Sequence, residues 1–290
     1  MHHDQAAIAA LTKLNLDDLF NALGIPQLRG LAVLQRALRP YALRLATQVT
    51  TYDHLVGENG LQAGATYGLN QLVRRSEVCG QANIPREGPL LIVANHPGLY
   101  DTLALFSAIP RPDLYVIAAD RPFLRALPHI ARRLLMIDDA ASGRMGVVRA
   151  ATRHMRAGGA LLLFPGGKIE PDPATMPGAV AALSTWSESV EIFGRLVPQL
   201  QALPAIVSGV LGLRAQRHPL VRLRRSQAER ELLAATLQMI APSLHDLTVR
   251  VAFGPPLRRA DFARGNQAAL APALLASAAR LMEDARQAAR

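Results

Sequence analysis

Cysteine, lysine and aromatic residues are scarce in this chain of 290 residues. The single cysteine, Cys79, excludes an internal disulfide and argues against a cysteine-based metal site. No apolar stretch approaches the roughly 18 residues that are needed to cross a bilayer. The chain does not open with a charged segment followed by an apolar core, so we expect no secretory signal. These absences predict a cytoplasmic protein that is either soluble or bound to the inner face of the cell membrane.

Acidic residues are also too few to balance the basic ones, with 22 against 32 and a net charge of +10. Only two of the basic residues, Lys13 and Lys168, are lysines. A charge of this size suits an anionic partner, either nucleic acid or acidic lipid. Nucleic-acid-binding proteins usually combine basic clusters with stacking aromatic residues, but aromatic residues make up only 4% here. A membrane surface is therefore the expected partner, and nucleic acid is not.

The first 80 residues have a helical pattern, which predicts an N-terminal helical segment over residues 1–80 and leaves residues 81–290 for an α/β domain ending in a helix. Within this segment leucines alternate with arginines, with a break at Pro40. The residues concerned are Leu31, Leu34, Leu38, Leu43, Leu45, Arg29, Arg36, Arg39 and Arg44. Such a basic amphipathic segment could lie in a lipid interface. An ordinary helix with a solvated basic face explains the pattern at least as well.

Short apolar runs alternate with helical patterns in the rest of the chain. Strands are predicted over residues 90–94, 114–119, 134–137, 160–164, 203–210 and 247–253. Helices are predicted over residues 102–109, 144–156, 176–193, 227–240 and 261–289. This alternation predicts an α/β fold, a mixed sheet flanked by helices, preceded by the N-terminal helical segment.

The sequence N-H-P-G-L-Y-D at residues 95–101 places a histidine and a carboxylate five residues apart, where a predicted strand ends and a predicted helix begins. A neutral imidazole can take a proton from a hydroxyl, while a carboxylate on its other nitrogen fixes the tautomer and stabilises the imidazolium. His96 and Asp101 are therefore a candidate catalytic pair. Alternatively, Asp101 only caps the helix and His96 is a loop residue bonded to backbone.

A second candidate loop, F-P-G-G-K at residues 164–168, directly follows a predicted strand. Glycines let backbone amides approach a ligand, and the lysine adds a positive charge that a phosphate or a developing oxyanion would favour. A plain turn explains the sequence as well, and the spacing of nucleotide-binding P-loops is absent. Glu170 and Asp172, just beyond this loop, are expected in a solvated loop, with contact to a cationic acceptor as the alternative.

Six ordered blocks over roughly residues 80–215 resemble the phospholipid/glycerol acyltransferases, the H-x4-D enzymes of the 1-acylglycerol-3-phosphate acyltransferase type. These blocks are A-N-H-P-G-L-Y-D, residues 114–120, residues 123–128, L-L-M-I-D at 134–138, G-G-A-L-L-L-F-P-G-G at 158–167 and L-P-A-I-V at 203–207. The first block of the family usually reads N-H-x4-D, and the sequence at residues 95–101 matches it at each of these positions.

This resemblance implies transfer of an acyl group from acyl-coenzyme A or acyl carrier protein to an acceptor hydroxyl, without a covalent enzyme intermediate. His96 would be the general base and Asp101 its partner, with backbone amides near Gly166 and Gly167 as candidates for stabilising the oxyanion. We expect no metal and no cofactor beyond the thioester co-substrate. The candidate substrate-binding residues are Asn95, Gly98, Phe164, Pro165, Gly166, Gly167, Lys168 and Arg144.

The chain departs from the family at positions that would bind a phosphate. The third block commonly reads F-P-E-G-T-R-S, whereas Gly166 stands here in place of the glutamate, Lys168 in place of the threonine and Ile169 in place of the arginine. The second block usually ends in an arginine that helps to bind the acceptor phosphate, and this chain has Asp139 there. The candidates to replace these groups are Arg132, Arg133, Arg144 and Lys168. An acceptor without a phosphate, such as an amino-acid lipid, a sugar or a neutral alcohol, is a second candidate.

Two other functions are compatible with these residues. A thioester hydrolase would use water in place of the acceptor at His96. A catalytically degenerate protein of the same fold would only bind lipid or membrane, although the intact pair of His96 and Asp101 argues against it. A serine hydrolase is disfavoured because the chain has no G-x-S-x-G sequence.

Overall fold

The computed structural model describes residues 2–24, 32–137, 141–262 and 270–288. Three long helices come first: α1 (His2–Ala22), α2 (Ala32–Asn59) and α3 (Leu61–Leu72). The strands are β1 (Arg75–Cys79), β2 (Leu90–Ala94), β3 (Leu114–Ala119), β4 (Leu134–Ile137), β5 (Ala160–Leu163), β6 (Gln201–Ser208), β7 (Thr248–Phe253) and β8 (Leu257–Arg258). The other helices are α4 (Leu99–Ala108), α5 (Pro122–Arg125), α6 (Pro128–Ala131), α7 (Ala141–Arg156), α8 (Ala179–Ala182), α9 (Ser189–Leu196), α10 (Leu213–Gln216), α11 (Pro219–Arg222), α12 (Gln227–Ile240) and α13 (Leu270–Ala288).

The described strands form one mixed sheet in the order β1-β7-β6-β2-β5-β3-β4, with β8 beside β6. The neighbours from β6 to β4 run parallel, whereas β7 and β8 are antiparallel to β6. The central strand β2 is buried along its whole length, and its side chains point alternately into two cores on opposite faces of the sheet. Leu90 and Ile92 pack in the core that contains α3 and α4, while Leu91 and Val93 pack in the core that contains α9 and α13. The predicted α/β fold, a mixed sheet flanked by helices with a helical N-terminal segment, is confirmed.

The topology brings three loops together at the carboxyl ends of the central strands, here called the carboxyl edge of the sheet. Strands β6, β2 and β5 are adjacent and parallel, so their carboxyl ends lie side by side. The loops that leave these ends contain residues 95–98, 164–178 and 209–212. In open α/β sheets ligands bind at this edge. Both candidate loops of the sequence therefore meet at one place.

Two predictions for the N-terminal segment are wrong. Pro40 does not interrupt the helix, because α2 runs through it. Proline has no N–H to donate to the preceding turn, but this turn is exposed and water can bond to the carbonyl that is left without a donor. Residues 75–79 are a strand, β1, that pairs with β7 at the edge of the sheet. Its largely exposed side chains lack the apolar signal of the central strands. The strand lies on the N-terminal side of the boundary predicted at residue 80, and the division into domains stays a prediction.

The single helix predicted over residues 176–193 is also wrong. The chain forms the short helix α8 and one 3₁₀ turn at Leu183–Thr185, leaves the helix at Trp186, and begins α9 at Ser189. The Trp186 indole and the Ser187 amide are bonded to the loop that follows β5, and these tertiary bonds hold the chain extended where the local pattern favours a helix.

The last predicted helix, residues 261–289, is confirmed as α13 from Leu270 onward, and residues 259–262 form a 3₁₀ turn. Asp138 and Asp139, on which the comparison with the second family block depends, lie outside the described residues. The strands predicted at 90–94, 114–119 and 134–137 and the helix predicted at 227–240 have the predicted bounds. None of the helices in the described ranges combines the length and hydrophobicity required to span a bilayer.

Candidate active site

His96 and Asp101 are held together by a short loop between β2 and α4. The His96 Nδ1 atom lies 2.7 Å from Oδ2 of Asp101. The same oxygen accepts the backbone N–H of Gly98 at 2.9 Å, and Oδ1 accepts the Thr102 hydroxyl at 2.9 Å. Asp101 is completely buried, whereas 28% of the His96 side chain is exposed. Asp101 is therefore the third residue of α4, where it caps the helix by accepting the Gly98 N–H and also fixes an imidazole that is partly exposed.

The hydrogen bond from His96 to Asp101 determines which ring nitrogen can act on a substrate. A carboxylate only accepts hydrogen bonds, so Nδ1 carries the proton and Nε2 keeps its lone pair. Burial lowers the pKa of His96, but the charge and the hydrogen bond of Asp101 raise it, as does the charge of Glu170, and the net pKa lies above the usual value. The imidazole is therefore arranged as a base at Nε2.

Asn95 holds the start of this loop against β6. Its side-chain oxygen accepts the Val207 N–H at 2.8 Å and its amide donates to the Val207 carbonyl at 2.9 Å, so the side chain continues the ladder between β2 and β6. The residue is completely buried. Substrate contact by Asn95 stays a prediction, and its burial counts against it.

The glycine loop after β5 lies directly against His96. The Phe164 ring packs on the imidazole with their centroids 4.7 Å apart. The Gly167 amide donates to the Phe164 carbonyl at 3.2 Å, which makes a turn, while Lys168 is exposed. Pro165 is buried, and its carbonyl accepts the Ser187 amide. The two candidate loops of the sequence are thus brought together, as the spacing of the blocks implied.

Glu170 and Asp172 are not in a solvated loop, because both side chains are buried. The Glu170 backbone N–H donates to the His96 carbonyl at 2.9 Å, and its Oε1 accepts the Trp186 indole N–H at 2.9 Å. The expectation of solvation is therefore wrong. The chain turns back toward the sheet after Lys168 and carries both carboxyl groups inward.

Asp172 connects the glycine loop to the loop that follows β6. Its two carboxylate oxygens accept four backbone N–H groups, those of Ala174 at 2.9 Å, Gly209 at 2.9 Å, Val210 at 2.7 Å and Leu211 at 3.1 Å. These donors satisfy a carboxylate that is completely buried. Asp172 thereby fixes the third loop at the carboxyl edge of the sheet.

A small, mostly apolar cavity of about 20 Å³ adjoins the catalytic loop. It lies between the start of α4, the loop after β6 and helix α12, and Gly98 and Tyr100 line it together with Val210 and Leu211. This volume holds about one water molecule. An acyl chain or an acceptor tail entering here would have to move α12 or the loop after β6.

Arg144 lies farther from His96 than the glycine loop does. It is an exposed residue near the start of α7, which follows β4. Because β4 is three strands from β2, and neighbouring strands are about 4.8 Å apart, this helix begins roughly 14 Å along the same edge. Contact of Arg144 with a substrate stays a prediction, and a substrate would need to extend along the sheet edge to reach it.

Residues 75–194 match the family model described as Acyltransferase. The matched segment contains His96, Asp101 and the glycine loop. The resemblance inferred from the sequence blocks is thereby confirmed. No curated protein matches the chain.

Among solved structures, the chain matches the 1-acyl-sn-glycerophosphate (LPA) acyltransferase PlsC from Thermotoga maritima. The two sequences are 14% identical, and the match covers 83% of this chain and 98% of the other with a TM-score of 0.46.

Proposed function

We propose that this protein transfers a fatty acyl group from acyl-coenzyme A or acyl carrier protein to a hydroxyl of a glycerolipid-like acceptor, with His96 as the general base. The observation that carries this proposal is the bond of 2.7 Å between His96 Nδ1 and Asp101. It leaves the lone pair on Nε2 of a partly exposed imidazole inside the segment that matches the acyltransferase family. A positioned base of this kind contributes about 10²- to 10⁴-fold to the rate.

In the proposed reaction Nε2 takes the proton of the acceptor hydroxyl while its oxygen attacks the thioester carbonyl carbon. The new C–O bond forms and the carbonyl oxygen becomes an oxyanion. Collapse of this intermediate breaks the C–S bond, and the thiolate leaves with the proton from the imidazolium. Asp101 stabilises the imidazolium between these two steps.

The oxyanion needs donors beside the base, and the glycine loop supplies the candidates. The Gly167 amide already donates to the Phe164 carbonyl. Among the described residues the Gly166 amide donates to no backbone carbonyl, which makes it the better candidate of the two. Lys168, exposed at the end of the same loop, would place a positive charge near the donor or the acceptor.

The acceptor we propose has no phosphate next to the reacting hydroxyl. A phosphate dianion gives up its hydration on entering the site and is disfavoured unless charged donors replace the lost water. The positions where the family carries its threonine and arginine hold Lys168 and Ile169 here.

The proposal predicts ester formation when the purified protein is given labelled acyl-coenzyme A or acyl carrier protein with a panel of acceptors. We expect non-phosphorylated acceptors to react at least about tenfold faster than lysophosphatidic acid, since each 1.4 kcal/mol of uncompensated desolvation of the phosphate is a factor of ten. A preference for lysophosphatidic acid would contradict the proposed acceptor class. Free fatty acid as the product with every acceptor would instead identify a thioester hydrolase.

We also propose that the protein binds an anionic membrane surface through α10, α11 and α12. Four leucines on or directly after these helices are exposed, Leu223 at the end of α11 most of all at 76%, and exposed arginines surround them. The leucines are Leu213, Leu220, Leu223 and Leu232, and the arginines are Arg214, Arg217, Arg222, Arg225 and Arg230. The loop that precedes α10 lines the cavity beside Gly98, so lipid on this surface would lie next to the site.

The first turns of α2 are an alternative membrane surface. Val33 and Leu43 are exposed there with Arg36, Arg39 and Arg44, whereas Leu45 is buried. This is part of the basic amphipathic pattern seen in the sequence.

We expect the protein to sediment with vesicles that contain phosphatidylglycerol and not with phosphatidylcholine vesicles at moderate salt. The double variant Leu220→Ser with Leu223→Ser should bind at least about tenfold more weakly, since a buried leucine contributes roughly 1.5–3 kcal/mol. The double variant Val33→Ser with Leu43→Ser is the matched control. Loss of binding in the control alone would place the membrane at α2, and equal binding to both kinds of vesicle would contradict the role of the arginines.

A further inference from the structure

Glu170 fills the space where a side chain at position 166 would lie. An ideal Cβ atom built on Gly166 falls 2.0 Å from Glu170 Oε1 and 3.1 Å from its Cδ. Real Cβ atoms do not approach other atoms so closely, so any side chain at 166 must displace this carboxyl group. Gly166 is not among the glycines with positive φ, so its backbone itself suits an L residue. A side chain at position 166 is therefore opposed by the carboxyl group of Glu170 and not by backbone conformation.

Glu170 is anchored once through its carboxyl group and once through its backbone. Oε1 accepts the Trp186 indole N–H at 2.9 Å, and the Glu170 backbone N–H donates to the His96 carbonyl at 2.9 Å. The side chain is 3% exposed, and its Oε2 has no hydrogen-bond partner among the described residues. A buried carboxyl oxygen without a partner is costly. A buried oxygen of this kind calls for a specific explanation.

The carboxyl group of Glu170 lies against the residue at which the third sequence block differs from the family. Gly166 stands where the family commonly has a glutamate, and the carboxyl group that is missing from position 166 is supplied from position 170. The carboxyl group of Glu170 thus occupies the space in which a side chain at position 166 would begin.

We infer that Glu170 is a positioning residue: it supplies, from four residues downstream, the carboxyl group expected at position 166, holds the His96 loop, and increases the affinity of His96 for the proton of the acceptor hydroxyl. The last part of this inference rests on the proposed role of His96 as a base.

The electrostatics of the site agree with this assignment. The pKa of Glu170 is raised to about 7, mainly by burial and also by the Asp101 carboxylate. The Trp186 indole, the His96 backbone and the His96 imidazole act in the opposite direction and lower it. The charge of Glu170 in turn raises the pKa of His96. His96 and Asp101 are the charged groups that act on Glu170 here. As pH falls through 7, Glu170 takes a proton and His96 becomes a weaker base.

Variants that move the carboxyl group from position 170 to position 166 test the assignment. Glu170→Ala should lower kcat by about tenfold, and Gly166→Asp should do the same because its Cβ displaces Glu170. The double variant Gly166→Asp with Glu170→Ala should recover to within about threefold of the wild type, since residues in contact couple by 0.5–3 kcal/mol, or roughly 2- to 150-fold. Gly166→Glu with Glu170→Ala offers a longer side chain for the same test.

The matched control is Ile169→Glu with Glu170→Ala, which places a carboxylate on an exposed neighbouring residue and should not restore activity. Losses that are additive in both double variants at position 166 would overturn the inference. Glu170→Gln keeps an acceptor for Trp186 and should shift the acidic limb of the pH–rate profile to lower pH, by roughly half a unit to one unit. A merely structural role would leave this limb unchanged.

A second measurement does not depend on acyl transfer. Trp186 is the only tryptophan of the chain, so emission excited at 295 nm reports on the indole that is bonded to Glu170. We expect a transition in emission near pH 7 that is absent in Glu170→Gln. In His96→Ala the transition should move to higher pH, because the imidazolium no longer favours the carboxylate. An unchanged transition in Glu170→Gln would overturn the assignment of Glu170 whether or not the protein is an acyltransferase.

Discussion

His96→Ala is expected to lower kcat for ester formation by about 10²- to 10⁴-fold, the contribution of a positioned general base. The variant removes Nε2, the atom that takes the proton of the acceptor hydroxyl in the proposed reaction. It leaves the bonds from Gly98 and Thr102 to Asp101 in place, so α4 should still begin correctly. Affinity for the acyl thioester should change little, and the loss should fall on kcat rather than on KM.

Asp101→Asn is the companion variant for this prediction. It keeps the size of the side chain but offers an amide where His96 Nδ1 needs a carboxylate, so the tautomer with a lone pair on Nε2 is no longer favoured. We expect a loss of kcat similar to that of His96→Ala, and little further loss when the two variants are combined. Fully additive losses would show that the two residues do not act as one unit.

Asp172→Ala is expected to lower the free energy of unfolding by about 3 to 5 kcal/mol. The variant leaves four backbone N–H groups without their acceptor, three of them in the loop that follows β6. Each buried donor left without a partner costs about 1 to 3 kcal/mol, reduced where water enters the space. Urea unfolding followed by circular dichroism measures the change as a lower midpoint with an unchanged slope.

Asp172→Asn is the matched control for stability. It retains one carbonyl oxygen but turns an NH₂ group toward backbone donors, so we expect roughly half the effect of Asp172→Ala. If Asp172→Ala unfolded at the same urea concentration as the wild type, the loop after β6 would not depend on this carboxylate.

The contact between His96 and Asp101 was predictable because its geometry is local. His96 and Asp101 are five residues apart between a strand and a helix, and the turn between them, with Gly98 donating to the carboxylate, brings the two side chains into contact. The central strand β2 was equally clear, because a strand buried on both faces is a continuous apolar run.

The roles of Glu170 and Asp172 were not predictable from their neighbours in the sequence. An acidic residue after a Pro-Gly-Gly turn ordinarily faces solvent, and their partners here lie far along the chain, at Trp186 and at residues 209–211. Their burial follows from the way the loop turns back across the carboxyl edge of the sheet. The missing glutamate at position 166 was a usable signal, since a second carboxyl group stands four residues later.

The break in the helix predicted over residues 176–193 has the same origin. Residues 179–193 have local helical character, yet Trp186 and Ser187 are bonded to the loop after β5, and those bonds outweigh helix propensity.

The edge strand β1 was not predicted, for a different reason. The strand β1 has mostly exposed side chains and pairs on one side only, so it lacks the apolar run that marks β2.

The central claim is that His96 accepts the proton of the acceptor hydroxyl. Its most direct test is the single-turnover rate of ester formation by wild type and His96→Ala, with the same acyl thioester and the best acceptor of the panel, because this rate excludes product release. We predict a rate at least about 100-fold lower in the variant, with an unchanged urea midpoint. A rate equal to that of the wild type would contradict the claim.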